Sequence, residues 1–193
     1  MADLTLDPKT TALVLIDLQR GIAAGDTKPH AADDVVARGA SLARAFRERG
    51  ALVVLVRVDP GPGGVLFPRP AADQARAPFS GAPDFATLRD ELDVQPSDAI
   101  VTKHQPNAFY ATDLEVHLVR RGIRAIVLGG IATNLGVEST ARAAFERGYE
   151  QVFVEDAMAA RAEDQHAFPV ARTFPTMGRV RSTADVLAAL GTR

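Results

Sequence analysis

The stretch ALVLIDLQ at residues 12–19 decides the fold, because five apolar residues run without interruption into an aspartate. A short continuous apolar run of this kind is typical of a parallel strand that is buried on both faces of a sheet. Comparable runs occur at residues 52–56, 99–101, 125–128 and 151–154, and a last short strand is predicted near residues 179–181. The sequence therefore predicts a mostly parallel sheet of about six strands.

Helical patterns separate these runs. The predicted helices cover residues 35–46, 112–122, 134–147 and 182–190. Capping-box patterns occur at residues 112–115 and 182–185, while Gly50, Gly122 and Gly148 provide stop signals. The alternation of strands and helices predicts a doubly wound α/β fold with helices on both faces of the sheet.

Composition limits the kind of partner. The 193 residues, 47% of them hydrophobic, are enough for one domain over residues 1–193. A net charge of -2 provides no basic surface for nucleic acid or an anionic membrane, so a small molecule is the expected partner. The N-terminus lacks a signal-peptide pattern and no apolar run reaches bilayer length, which leads us to expect a cytoplasmic protein. The absence of cysteine excludes disulfides and thiolate metal ligands.

One long segment departs from the strand and helix rhythm. Residues 59–83 are rich in proline, glycine and alanine. Loops of this length in a compact domain are usually functional or disordered. Our hypothesis is that this loop covers the site or reaches a neighbouring subunit, and the alternative is a mobile surface segment.

Two charged residues stand at the ends of predicted strands. Asp17 directly follows the first strand, and Lys103 follows the third. Open parallel sheets bind ligands at the carboxyl ends of their strands, so both side chains are expected at one crevice. Burial raises the pKa of a carboxyl there unless a cation offsets the effect. The pattern leaves two interpretations open, a tuned acid and base pair or an ordinary ion pair at a strand end.

Gly136 lies in the first turn of the helix predicted over residues 134–147. Glycine inside a helix costs about 1 kcal/mol of stability relative to alanine, so we expect that the structure or the site requires a residue without a side chain at this position. First-turn amides attract negative charge, which makes the backbone of residues 133–136 a candidate oxyanion site. The alternative is a tolerated glycine near a helix cap.

Together these residues resemble the isochorismatase-like hydrolases, also called cysteine hydrolases. The resemblance rests on Asp17, Lys103 and the loop at residues 130–134, and it extends through residues 103–114 and 128–157. Many members of that family use an Asp, a Lys and a Cys to hydrolyse amides, and Gly136 stands where the cysteine is expected. Glycine has no nucleophilic side chain, so the usual covalent route is closed.

The resemblance implies a different chemistry for this chain. Isochorismatases proper hydrolyse a vinyl ether and release pyruvate, and some of them have glycine at the nucleophile position. By that resemblance Asp17 is the general acid, Lys103 orients Asp17 or the substrate, and Gly136 leaves room for substrate or water. Donation near neutral pH requires a raised pKa for Asp17, which a close Lys103 ammonium opposes. The alternative from another class is a catalytically silent binding or scaffold protein that lost its nucleophile.

The resemblance also implies a set of substrate-binding residues and several other features. The expected binding residues are Gln19, Phe109, Ala132, Thr133 and Asn134. For Gln19 the alternative is a hydrogen bond to the adjacent loop, and for Phe109 it is a place in the core. The family further implies a cis peptide between Ile131 and Ala132 and a homodimer or larger homo-oligomer.

No metal and no cofactor are expected. Nicotinamidase-like members of the family have a metal site with histidines after the second strand, but residues 57–62 contain no histidine. The four histidines of the chain are scattered rather than set at ligand spacing: His30, His104, His117 and His166.

Overall fold

A six-stranded sheet organises the protein, whose computed structural model describes residues 4–61, 73 and 82–191. The strands are β1 Thr11–Ile16, β2 Leu52–Val58, β3 Ala99–Lys103, β4 Ala125–Ile131, β5 Glu150–Ala159 and β6 Arg179–Arg181. They lie in the order β3-β2-β1-β4-β5-β6, and every neighbouring pair is parallel. All six predicted strands are confirmed, although most of them extend beyond the predicted ends.

Six α-helices connect these strands among the described residues. They are α1 Arg20–Ala23, α2 Ala32–Glu48, α3 Leu114–Arg120, α4 Glu138–Glu146, α5 Glu163–Phe168 and α6 Thr183–Ala189. A π-helical turn at Thr133–Val137 leads into α4, and a second one at Pro169–Thr173 follows α5. The predictions of α2, α3, α4 and α6 are confirmed. The sequence did not predict α5, since His166 is its one buried residue and it has no apolar stripe.

Helices cover both faces of the sheet, as predicted. Leu13 and Leu15 of β1 belong to the apolar cluster that includes α2 and α6, whereas Val14 and Ile16 belong to the cluster that includes α3 and α4. Successive strand residues point to opposite faces. The continuous apolar run of β1 therefore reflects burial on both sides, and all six of its residues are buried.

The two predicted capping boxes have different outcomes. At α6 the hydroxyl of Ser182 accepts from the amide of Asp185, and the Asp185 carboxylate accepts from the Ser182 amide, so this box is confirmed. The box predicted at residues 112–115 is wrong. The hydroxyl of Thr112 donates to the carbonyl of Ala108, and α3 begins later, with Asp113 as an N-cap that makes no side-chain capping bond.

The strand order positions the candidate site. The chain continues from β1 to β2 and β3 on one side, then crosses from β3 to β4 on the other side of β1, and ligands bind at such a switch point beyond the carboxyl ends of the strands. Asp17 follows β1, Lys103 ends β3, and the π-helical turn follows β4. Most of the loop predicted over residues 59–83 lies outside the described residues. None of the helices in the described ranges is long and apolar enough to cross a bilayer.

Candidate active site

Asp17 is held in a buried position at the end of β1. Its backbone has a φ of 54°, a left-handed conformation that aspartate tolerates better than most residues, and its amide donates to the carbonyl of Val56 at 2.9 Å. The residue is 5% exposed. Its Oδ2 atom accepts a hydrogen bond from Lys103, whereas its Oδ1 atom is buried without a hydrogen-bond partner among the described residues. Buried polar atoms are rarely unpaired, so Oδ1 is available to a ligand.

Lys103 reaches this carboxylate from β3, two strands away. Its Nζ atom lies 2.8 Å from Asp17 Oδ2 and also donates to the carbonyl of Pro106 at 2.9 Å. The lysine is 1% exposed. The structure therefore brings together the two charged residues that the sequence predicted at one crevice, and both are buried.

The pKa of Asp17 depends on two opposing effects. Burial raises it, and the charge and hydrogen bond of Lys103 lower it. Burial is the larger effect, so the pKa of Asp17 rises from 3.8 to about 6. This is the outcome that proton donation near neutral pH requires, and it was not decided by the sequence.

Gly136 faces the Asp17 and Lys103 pair from the π-helical turn. A Cβ atom at this position would lie 3.1 Å from Asp17 Oδ2, 3.3 Å from Lys103 Nζ and 2.9 Å from Ile16 Cγ2. The carbonyl of Gly136 accepts from the hydroxyl of Thr140 at 2.7 Å, which fixes the turn. The missing side chain therefore widens the space directly beside the acid and the ammonium.

The other residues of the turn have separate environments. The peptide between Ile131 and Ala132 is cis, as the resemblance implied. The carbonyl of Ala132 accepts from the amides of Leu135 and Val137, at 3.1 and 3.2 Å. The amide of Leu135 is thus engaged, and the oxyanion hypothesis depends on the remaining amides of residues 133–136. Asn134 is exposed, and Thr133 is buried with its hydroxyl 2.9 Å from His166 Nδ1.

Gln19 bonds the backbone around it. Its amide nitrogen donates to the carbonyls of Val58 and Phe85, at 2.9 and 2.8 Å, and its carbonyl oxygen accepts from the Val58 amide at 2.7 Å. The side chain is fully buried. These contacts favour the interpretation that Gln19 anchors neighbouring loops over the one in which it binds substrate.

Phe109 packs away from the Asp17 and Lys103 pair. Its ring stacks on Tyr149 with centroids 6.0 Å apart, and the guanidinium of Arg147 lies 4.8 Å above it. Arg147 and Tyr149 precede β5 and thus lie toward the amino ends of the strands. The contacts favour a packing role for Phe109.

Two histidines that appeared scattered in the sequence meet in the fold. The rings of His30 and His166 are perpendicular, with centroids 5.9 Å apart, and Glu155 of β5 lies beside both. Burial and the neighbouring His30 lower the pKa of His166 from 6.5 to about 4. The expectation of scattered histidines is wrong for this pair, because the fold joins residues that are far apart in the chain. No spacing rule identifies such a cluster.

The comparisons with known proteins agree with the fold. The Isochorismatase domain family matches residues 11–185. The chain is 44% identical over 195 residues to the uncharacterized isochorismatase family protein YecD of Escherichia coli O157:H7, covering 97% of this chain and all of that protein. It is 33% identical over 213 residues to the ureidoacrylate amidohydrolase RutB of Methylobacterium radiotolerans, covering 97% of this chain and 82% of the relative.

A solved structure has the same architecture. An isochorismatase family protein from Burkholderia thailandensis superposes with a TM-score of 0.92 at 46% identity, covering 97% of this chain and 98% of that one. The match extends over nearly the whole of both chains, so the six-stranded sheet is shared.

Proposed function

Because the chain belongs to the isochorismatase family of hydrolases, we propose that it hydrolyses a small polar metabolite by acid catalysis from Asp17, without a covalent nucleophile. The leading reaction is hydrolysis of a vinyl ether that releases pyruvate. The proposal assigns proton transfer to Asp17, orientation of its carboxyl group to Lys103, and space for substrate or water to Gly136.

The observation that carries the proposal is the asymmetry of the Asp17 carboxyl group. Its Oδ2 atom accepts from Lys103, while its Oδ1 atom is buried and has no hydrogen-bond partner among the described residues. A proton on this carboxyl group therefore belongs on Oδ1, which is the atom left for a ligand. With a pKa of about 6, about one-tenth of the molecules carry that proton at pH 7.

The proposed reaction uses this proton at carbon. Asp17 donates it to the terminal methylene of the enol ether, which leaves an oxocarbenium ion. Water adds to the cationic carbon and returns a proton to the Asp17 carboxylate, and the resulting hemiketal separates into an alcohol and pyruvate. Lys103, 2.8 Å from Oδ2, stabilises the carboxylate that forms in the first step.

Gly136 makes this site accessible. Any other residue would place a Cβ atom 3.1 Å from Asp17 Oδ2 and 3.3 Å from Lys103 Nζ. A nucleophilic side chain at this position would extend from that carbon, beside an acid and an ammonium. We infer that the glycine excludes covalent catalysis from this position and leaves space in the pocket for substrate or water.

A second candidate is amide hydrolysis, which the likeness to a ureidoacrylate amidohydrolase favours. Gly136 has no thiol, so water would have to attack the carbonyl and Asp17 would have to remove its proton. The two reactions require opposite protonation states of Asp17. Vinyl-ether hydrolysis is fastest below the pKa of about 6, and water-mediated amide hydrolysis is fastest above it.

The test measures pyruvate release from isochorismate and ammonia release from ureidoacrylate, each as a function of pH. The variants are Asp17→Asn and, as the matched control, Asp34→Asn, which changes an exposed aspartate of α2. We expect pyruvate release by the native protein and the control, and a loss of at least about a hundredfold in Asp17→Asn, the usual contribution of a general acid.

Other outcomes contradict the proposal in distinct ways. Ammonia release without pyruvate release would favour the amide reaction. Binding of isochorismate with equal affinity in the native protein and Asp17→Asn, together with no turnover of either substrate, would favour the silent binding protein. Gly136→Cys separates a lost nucleophile from a native acid mechanism, because gained amide hydrolysis is expected of the former.

A further inference from the structure

We propose that His30, Glu155 and His166 form a binding site for a divalent transition-metal ion. Thr133, in the π-helical turn that also contains Gly136, contacts one member of this cluster, His166. None of its three ligands has a role in the proposed reaction, and the inference does not depend on the proposed function.

The first support is the convergence of three donor atoms. Glu155 Oε2 lies 3.8 Å from His30 Nε2 and 3.9 Å from His166 Nε2, and the ligand atoms of all three residues are within 4.8 Å of one another. The two contacts to Glu155 are longer than a hydrogen bond. His30 Nε2 is buried and has no hydrogen-bond partner among the described residues. Convergence without direct bonds is the arrangement expected of ligands around a shared ion.

Donor spacing is compatible with a small ion. Metal to ligand bonds of about 2.0–2.2 Å in tetrahedral geometry place neighbouring donors about 3.4 Å apart. The spacings to Glu155 of 3.8 and 3.9 Å would have to shorten by about 0.5 Å, and the spacing between the two histidine donors, which is within 4.8 Å, by up to about 1.4 Å; side-chain rotation can supply both movements. Two imidazoles and one carboxylate suit Zn²⁺, Fe²⁺, Co²⁺ or Ni²⁺ rather than Ca²⁺ or Mg²⁺.

The three ligands are held by separate parts of the fold. The segment before His30 pairs with the end of β5, because the amides of Lys28 and Ala160 each donate to the carbonyl of the other, at 2.8 and 2.9 Å. Glu155 lies in β5 where the register with β4 shifts, between Phe153 and Met158. His166 is in α5. Rigid support of this kind favours a defined site over three unrelated surface groups.

Thr133 orients the buried histidine. Its hydroxyl lies 2.9 Å from His166 Nδ1, so Nε2 is directed toward Glu155. Metal-binding histidines commonly have their second ring nitrogen held in this way. The side chains of His30 and Glu155 are 25% and 39% exposed, whereas that of His166 is 5% exposed. An ion can therefore enter from solvent, and three protein ligands leave a position for water or an anionic group.

The experiment measures metal binding directly, independent of catalysis. The full chain is treated with a chelator, dialysed against Zn²⁺ over a range of concentrations, and analysed for bound metal per chain. The variants are His30→Gln, Glu155→Gln and Thr133→Val. His117→Gln is the matched control, because it removes a half-buried histidine of α3 that lies outside the cluster.

We expect one Zn²⁺ per chain in the native protein and in His117→Gln, with a Kd raised at least tenfold in His30→Gln and Glu155→Gln. The positioning role of Thr133 predicts a Kd raised by about 10–100-fold in Thr133→Val. Co²⁺ bound to the native protein should give the visible absorption of a low-coordinate site, which the two ligand variants lose. Circular dichroism checks folding, and Glu155→Gln, which changes the most exposed of the three side chains, is the variant least subject to misfolding. Equal affinity in all five proteins, or no stoichiometric binding by the native chain, would overturn the inference.

Discussion

Asp17→Asn tests whether burial keeps the Asp17 carboxyl group protonated near neutral pH. The native pKa is raised from 3.8 to about 6, so between these pH values the folded state binds a proton that the unfolded state has already released. The stabilisation that the Asp17 carboxyl group gives the folded state is therefore fully present below pH 3.8 and is lost as the pH rises through about 6. At about 1.36 kcal/mol per pH unit, the loss amounts to about 3 kcal/mol.

The assay is urea unfolding of the native protein and Asp17→Asn at one protein concentration, from about pH 3 to about pH 8. Subtracting the two free energies of unfolding removes the contribution of every other titrating group that the variant leaves unchanged. We expect the native protein to lose stability relative to Asp17→Asn as the pH rises to about 6, and the difference to stay constant above that. Asp34→Asn, an exposed change on α2, should follow the native curve throughout.

If the difference in the free energy of unfolding between the native protein and Asp17→Asn does not vary with pH, the pKa of Asp17 is not raised. A native protein that gains stability relative to Asp17→Asn with rising pH would show that Lys103 outweighs burial and keeps the carboxylate charged. Either result would remove the physical basis for Asp17 as a proton donor. Because no substrate is needed, the test stands apart from the identity of the metabolite.

Three further changes test neighbouring parts of the site. Lys103→Met removes the group that lowers the pKa of Asp17. The pH at which the stability loss ends in the same unfolding experiment should therefore rise by about 1–3 pH units, and an unchanged pH would contradict the pairing. Gln19→Leu removes the acceptor of the buried Val58 amide and should cost about 1–3 kcal/mol in urea unfolding, with unchanged substrate affinity where the folded protein persists; a large rise in KM would restore its predicted binding role. Gly130→Ala should cost more than about 4 kcal/mol, because Gly130 has a φ of +126° and an added Cβ would meet a β1 carbonyl oxygen at 2.1 Å. Gly129→Ala is its control, where the nearest atom would be 3.1 Å away, and equal losses in the two variants would contradict the strain argument.

Much of the fold is readable from local pattern. The strand runs, the stop signal at Gly148 and the capping box at Ser182 each involve residues that are close in the chain, and the structure contains all of them. The box predicted at residues 112–115 failed because α3 begins at Leu114 with Asp113 as its N-cap, so the hydroxyl of Thr112 accepts from the amide of Leu114 instead of that of Glu115. The helix α5 was missed because its inward side carries a histidine where an apolar residue usually marks the buried face.

The candidate site divides in a similar way. The sequence located Asp17, Lys103 and Gly136, since each stands at the carboxyl end of a strand or in the turn that follows one. It also left Gln19 and Phe109 with two interpretations each. The contacts favour the structural interpretation in both cases, hydrogen bonds to neighbouring loops for Gln19 and packing for Phe109.

The sequence by itself determined the α/β architecture and the residues available for chemistry, because periodicity and residue type are properties of neighbours in the chain. Only the tertiary structure decided that burial outweighs Lys103 in raising the pKa of Asp17, since desolvation depends on everything packed around the carboxyl group. Only the tertiary structure brought His30 and His166 to Glu155. The formation of this cluster depends on strand order and on the path of two connections. The separation of these residues in the chain does not predict that they lie close together.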